Sequence, residues 1–254
     1  MASNSSECVV MLTNRAYFQK FIQTCSDLLN RGNWNGDICL VIGDDLVGTH
    51  YLNHEYIRSG RVQIKHFPDI VFPPEWHAVA SRLKRDPFWY NIKLFQFHKL
   101  HLFNTFFKKW NHIFYIDVGA TIFSSIQPIL NSIESNVFFA HSDAYPTYEW
   151  KLRNQFDLTS PGANDQEYNM NVDYPQTTIM LYDTNIIQDD TFSRLLDLAQ
   201  KSPNSITNDQ GIIALYFTNI DKKFKQIKTR DEHTCYYDFH RRNPHDNYIM
   251  LKRA

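Results

Sequence analysis

Three apolar runs in the first half of this chain each stop abruptly on a polar step. CVVML (residues 8–12) gives way to Thr13-Asn14-Arg15, DICLVI (37–42) to Gly43-Asp44-Asp45, and HIFYI (112–116) to Asp117. Runs of this length, rich in β-branched and aromatic residues, read as buried strands. After the first, Phe18, Phe21, Ile22, Cys25, Leu28 and Leu29 recur at spacings of three and four, the pattern of one helix face, and Gly32 and Gly36 punctuate its end. VQIKHF (62–67) reads as an alternating strand that enters a loop carrying Pro68, Pro73 and Pro74. Residues 88–110 read as a long aromatic helix, VFFA (137–140) and TIMLY (178–182) as strands, 192–199 as a helix and 210–217 as a further apolar segment. The polar stretch 142–174 reads as a long loop with at most a short helix.

Strands alternating with helices predict an α/β fold with a mostly parallel central sheet. No linker, repeat or low-complexity run divides residues 1–254, so one domain is expected. In open sheets of this kind ligands sit at the carboxyl ends of strands, where Thr13, Asp44, Asp45 and Asp117 would lie.

Charge and cysteine usage narrow the function. With 26 basic and 27 acidic residues the net charge is −1, so no overall field attracts nucleic acid or an anionic membrane. KKFKQIKTR (222–230), followed by Arg241-Arg242 and Lys252-Arg253, is a local exception, either a solvated surface or an anion site near the C-terminus. Four cysteines without paired spacing suit a reducing compartment. No signal-peptide pattern and no bilayer-length apolar run is present, so a cytoplasmic location, or an anchor outside these residues, is expected. Neither G-x-x-x-x-G-K nor G-x-G-x-x-G occurs, which argues against P-loop enzymes and Rossmann dehydrogenases.

Four places carry candidate chemistry. Asp117 ends a buried strand, where a carboxylate is costly unless solvated, hydrogen-bonded or metal-paired, and Gly119 permits a positive φ or a close ligand approach. Lys99 follows Phe95 by four and precedes Leu102 by three. It either runs its stem along the core or reaches a cleft as a fixed cation. In Asn208-Asp209-Gln210-Gly211 a helix cap explains one polar residue, whereas a carboxylate beside an amide is also how sugar hydroxyls are gripped. His233, Cys235, His240 and His245 cluster near the C-terminus without zinc-ligand spacing. A single histidine joining Asp117 on a divalent ion is the more plausible metal reading.

In order, HKLHLF, FYIDVGATIF, VDYPQTTIMLY and NDQGII resemble the motifs of glycosyltransferase family 8, the glycogenin-like group, over most of the chain. The resemblance implies a GT-A (Rossmann-like) fold and transfer of a sugar from a nucleoside-diphosphate donor, UDP foremost, usually with retention. The acceptor would be a hydroxyl of a glycan, protein or small molecule. It implies Mn²⁺ or Mg²⁺ on Asp117 and His240, and Lys99 near the donor. Asp209 and Gln210 would face the sugar, Asp173 and Gln176 would line its pocket, and Thr13 and Asn14 would meet base and ribose. Gly119 stands where the second metal-motif aspartate is expected, Gln176-Thr177-Thr178 replaces Asn-Ser-Gly, and Arg241-Arg242 follows the C-terminal histidine. A weakened metal site follows, or phosphate neutralisation by Arg241, Arg242 or a C-terminal lysine. Two other functions remain open: a catalytically inactive nucleotide-sugar binder, and a metal-dependent phosphohydrolase using Asp44, Asp45 and Asp117.

Overall fold

A computed structural model of the chain describes residues 6–83, 94–160, 167–239 and 247–252. Its framework is a seven-stranded sheet of order β3-β2-β1-β4-β7-β6-β8. The strands are β1 (Glu7–Thr13), β2 (Asp37–Ile42), β3 (Gln63–His66), β4 (His112–Ile116), β6 (Phe138–Ser142), β7 (Pro175–Asp183) and β8 (Phe224–Gln226). All neighbours pair in parallel except β7, which runs antiparallel to both β4 and β6. A second, three-stranded sheet is built from β5 (Ala120–Ile122), β9 (Thr234–Phe239) and β10 (Asn247–Lys252), in the order β5-β10-β9.

Side-chain alternation in the strands creates two cores, one on each sheet face. Cys8, Val10 and Leu12 of β1 join one, and Val9 and Met11 the other. The α-helices among the described residues are α1 (Phe18–Asn30), α2 (Glu55–Arg58), α3 (Pro74–Leu83), α4 (Gln127–Leu130), α5 (Thr191–Lys201) and α6 (Asp209–Leu215). α1 covers the Val9 face with Phe18, Phe21, Cys25 and Leu28. α3, α5 and α6 cover the opposite face with Trp76, Leu195 and Ile212.

The described part of the expected 88–110 helix differs from expectation. Phe95–Phe103 and Thr105–Lys109 are 3-10 turns, broken at Asn104, whose extended backbone and side chain cap the second turn. Phe97 to Phe103 are buried without interruption, so no polar face exists to define a 3.6-residue period. Among its described residues, the 142–174 stretch holds one short 3-10 turn, Leu152–Gln155. The 222–230 lysines are spread over separate partners: Lys223 meets Asp221, Lys225 meets Glu134, and Lys228 lies over Tyr236. The four cysteines are buried free thiols. No described helix is long and apolar enough to cross a membrane.

Candidate active site

β4 delivers Asp117 to the carboxyl edge of the sheet, and β7 begins beside it, with Ile116 opposite Ile179 and Asp117 N donating to Thr178 O. The 3-10 segment Phe95–Phe103 passes beneath this edge and inserts Lys99. Lys99 Nζ lies 3.1 Å from Asp117 Oδ1 and 3.4 Å from Asp209 Oδ2, and donates to Thr177 O and Thr177 Oγ1. Thr177 Oγ1 donates in turn to Asp209 Oδ2 at 2.8 Å, and Tyr115 OH to Asp117 Oδ1 at 2.5 Å. Lys99, Asp117 and Asp209, far apart in sequence, therefore form one ionic knot.

Exposure sorts these groups. The side chain of Asp117 is 24% exposed, against 7% for Lys99 and 3% for Asp209. Asp117 faces the crevice; Lys99 and Asp209 support it from below. Burial opposes the charge on Lys99, yet the two carboxylates outweigh it and raise its pKa. Burial likewise opposes ionised Asp117, but Lys99, Lys252 and the Tyr115 hydroxyl hold its pKa below the ordinary carboxylate value. Asp209 goes the other way. Burial raises its pKa, with the charge of Asp117 adding to the rise and Lys99 and Thr177 only partly countering it.

A second network extends the crevice along β6 and β7. Asp143, just past the end of β6, accepts from Tyr174 OH, from Gln176 Nε2 at 3.1 Å and from Gln210 Nε2 at 3.3 Å. Gln210 also bonds Gln155 and receives Thr177 N. Thr178 Oγ1 donates to Gln176 Oε1 and shares a 2.6 Å contact with Tyr237 OH. Asp173 lies on the same wall, accepting from Ser142 Oγ. Asn208, ahead of α6, holds φ +56° and ψ −116° and makes no cap bond. Its buried Oδ1 has no hydrogen-bond partner, so the cap expected of it is absent.

Of the expected site residues, Lys99, Asp117, Asp209, Gln210 and Gln176 thus converge, with Asp173 beside them and Gly119 at the turn. Thr13 and Asn14 end β1 at the same sheet edge but bond locally, Thr13 Oγ1 to Asn14 O and Asn14 Oδ1 to Tyr17 N. His240 and Arg241 lie outside the described residues. Asp44 and Asp45 do not join Asp117 in the ligand set of a phosphohydrolase: Asp44 binds His66 and the Asp69 amide, and Asp45 accepts from Arg15 N. Asp143 and Tyr115 were not anticipated as site residues; Thr177 was expected only as part of the segment replacing Asn-Ser-Gly, and Lys252 only as a C-terminal lysine that could neutralise phosphate. Asp143 carried a usable signal, since VFFAHSD repeats the strand-into-carboxylate pattern of FYID.

The described residues do not fit a divalent ion of the Mg²⁺ or Mn²⁺ class, which takes several oxygen donors. Gly119 brings no carboxylate. Asp117 Oδ1 is engaged by Lys99 and Tyr115, and Oδ2 faces Lys252 Nζ at 3.8 Å. No three described His, Cys, Asp or Glu residues are grouped to hold an ion. A dication on Asp117 would sit beside two ammonium groups, and at 4 Å even unit charges interact by about 4 kcal/mol at an effective dielectric of about 20.

By sequence, the chain matches no family model and none of the curated proteins compared with it. Among solved structures it is similar to the WbbM bifunctional glycosyltransferase, with a TM-score of 0.62 at 13% identity over 99% of this chain and 46% of that one. It therefore spans less than half of that enzyme. It is similar to the galactosyltransferase LgtC, solved with donor and acceptor sugar analogues, with a TM-score of 0.58 at 12% identity over 91% of this chain and 75% of that one. Mouse xyloside xylosyltransferase 1 superposes with a TM-score of 0.55 at 11% identity, covering 96% of each chain. The mixed sheet with its single reversed strand is that of the GT-A glycosyltransferases, and this chain has their fold.

Proposed function

We propose that the chain is a glycosyltransferase that moves a sugar, with retention, from a nucleoside diphosphate, UDP foremost, to a hydroxyl of a glycan, protein or small molecule. The observation that carries this reading is the convergence of Asp117, Lys99, Thr177, Asp209 and Gln210 at the carboxyl edge of a GT-A sheet. Lys99 and Asp209 are positioning residues that fix the Asp117 carboxylate. Gln176 gives one amide hydrogen to Asp143 and keeps the second for a hydroxyl of the transferred sugar, whereas Gln210, whose amide hydrogens go to Asp143 and Gln155, positions that wall.

In the transfer, the bond from the anomeric carbon to the β-phosphate oxygen breaks and its electron pair leaves on the diphosphate. The acceptor oxygen bonds that carbon, and its proton passes to the departing phosphate oxygen. Retention is favoured because the carboxylates facing the crevice are already engaged: Asp117 by Lys99 and Tyr115, Asp143 by Tyr174, Gln176 and Gln210, and Asp173 by Ser142. None of these described carboxylates is left unengaged as the separate general base that an inverting attack requires.

UDP release from UDP-glucose, UDP-galactose and UDP-N-acetylglucosamine tests the reading. Turnover with one donor is expected, reduced at least about 10²-fold by Asp117→Asn, which removes the counter-charge that fixes the Lys99 and Lys252 ammonium groups at the leaving-group end of the site. Donor binding without turnover would favour an inactive binder, and phosphate release from simple esters a phosphohydrolase.

A further inference from the structure

The turn 117–120 has a glycine where the resemblance calls for a second carboxylate, and two lysines crowd that glycine. A Cβ built on Gly119 would lie 3.3 Å from Lys20 Cδ and 3.4 Å from Lys252 Nζ. Both lysines are positioned by the fold. β10 pairs antiparallel with β5, setting Lys252 opposite Ala120, and Lys252 Nζ donates to Val118 O. Lys20 sits one turn before Thr24 on α1. The Thr24 hydroxyl accepts from Gly119 N at 2.9 Å and donates to Ala120 O at 3.0 Å, tying α1 to the turn. The Lys20 head lies 4.9 Å over the Tyr17 ring on an exposed stem, close enough to reach a ligand at the turn.

We propose that Lys20 and Lys252 form a diphosphate-binding subsite that takes the place of the divalent ion, so that donor binding and sugar transfer proceed without metal. This rests on the nucleotide-sugar reading above. Two carboxylates at this turn would serve to hold a cation against the departing diphosphate. Ammonium groups fixed there supply positive charge to the phosphate oxygens directly. Asp117 then acts as the counter-charge that keeps Lys99 and Lys252 in register, with one ammonium facing each of its oxygens.

The test is calorimetric titration of the full chain with UDP, UMP, GDP, CDP and ADP, first in EDTA and then with Mn²⁺. Wild type, Lys20→Met, Lys252→Met and Lys252→Arg are compared. Expected is a diphosphate that binds in EDTA and gains no more than about twofold on adding Mn²⁺. Lys252→Met should weaken it about tenfold or more, as loss of a charge-assisted contact implies, with a smaller loss for the monophosphate and recovery in Lys252→Arg. Lys20→Met, a change on an exposed stem, should weaken the same ligand while leaving thermal unfolding unchanged. Binding that requires Mn²⁺, or methionine variants that bind as wild type, would overturn the metal-free subsite and leave the transferase reading intact. No diphosphate binding with or without Mn²⁺ would overturn both.

Discussion

Replacing Lys99 by methionine isolates the knot beneath the crevice. Lys99 Nζ lies 3.1 Å from Asp117 and 3.4 Å from Asp209, and Asp209 is 3% exposed. The variant leaves Asp209 buried with only the Thr177 hydroxyl as partner, facing the like charge of Asp117. Breaking a buried pair in this way costs about 3–5 kcal/mol, and a chain of this size loses roughly 10 °C of midpoint for that amount. The pH dependence gives the signature. The Asp209 pKa is already raised in the fold, so its contribution to stability is fullest below the unfolded carboxylate pKa and is lost as pH rises through the folded value. Removing Lys99 raises it further. Relative to wild type, the penalty should therefore be larger at pH 7 than at pH 5, the direction that a further raised Asp209 pKa sets. Urea unfolding followed by tryptophan fluorescence at both pH values measures this, and Lys99→Met/Asp209→Asn should recover most of the loss. A penalty below about 1 kcal/mol, or one unchanged with pH, would refute the reasoning, since it is what an exposed surface pair gives.

Thr24→Val removes the hydroxyl that bridges Gly119 N and Ala120 O from a buried position, and should cost about 1–3 kcal/mol in urea unfolding for the two groups left unsatisfied. Gly119→Ala places a Cβ on a residue with φ +87° and should destabilise by about 1 kcal/mol or somewhat more, read as a lowered melting midpoint. Burial and His98 push the His101 pKa down to about 3, so the fold holds it neutral while the unfolded chain protonates it near 6.5. Its contribution to stability is present above 6.5 and lost as pH falls toward 3, amounting to about 2 kcal/mol between pH 7 and pH 5. His101→Phe, which keeps the stack between Phe67 and Phe192, should flatten that slope in urea titrations.

β1, β2 and β4 were legible as apolar runs ending on a polar step and, with α1, fall within a residue or two of expectation, whereas β8, the sequence FKQ, carries no such run and was not expected. Asp117, Asp209 and Gln210 were legible for the same reason, as polar residues at the ends of apolar segments. Residues 95–109 were not, because Phe97 to Phe103 at their centre are buried on every side and carry no amphipathic period. The small sheet was hidden as well. Nothing local in ATI or NYIMLK shows that Lys252 pairs opposite Ala120, more than a hundred residues away, yet that register brings an ammonium group to the site. The role of Thr177 was not legible, because it depends on Lys99 and Asp209 arriving from two other elements.

A crystal structure of the chain soaked with UDP tests the central claim most directly. The account expects the diphosphate against the Asp117–Gly119 turn within hydrogen-bonding reach of Lys252, with its β-phosphate pointing toward Gln176 and Gln210. UDP seated away from that turn, or on the far edge of the sheet, would contradict it.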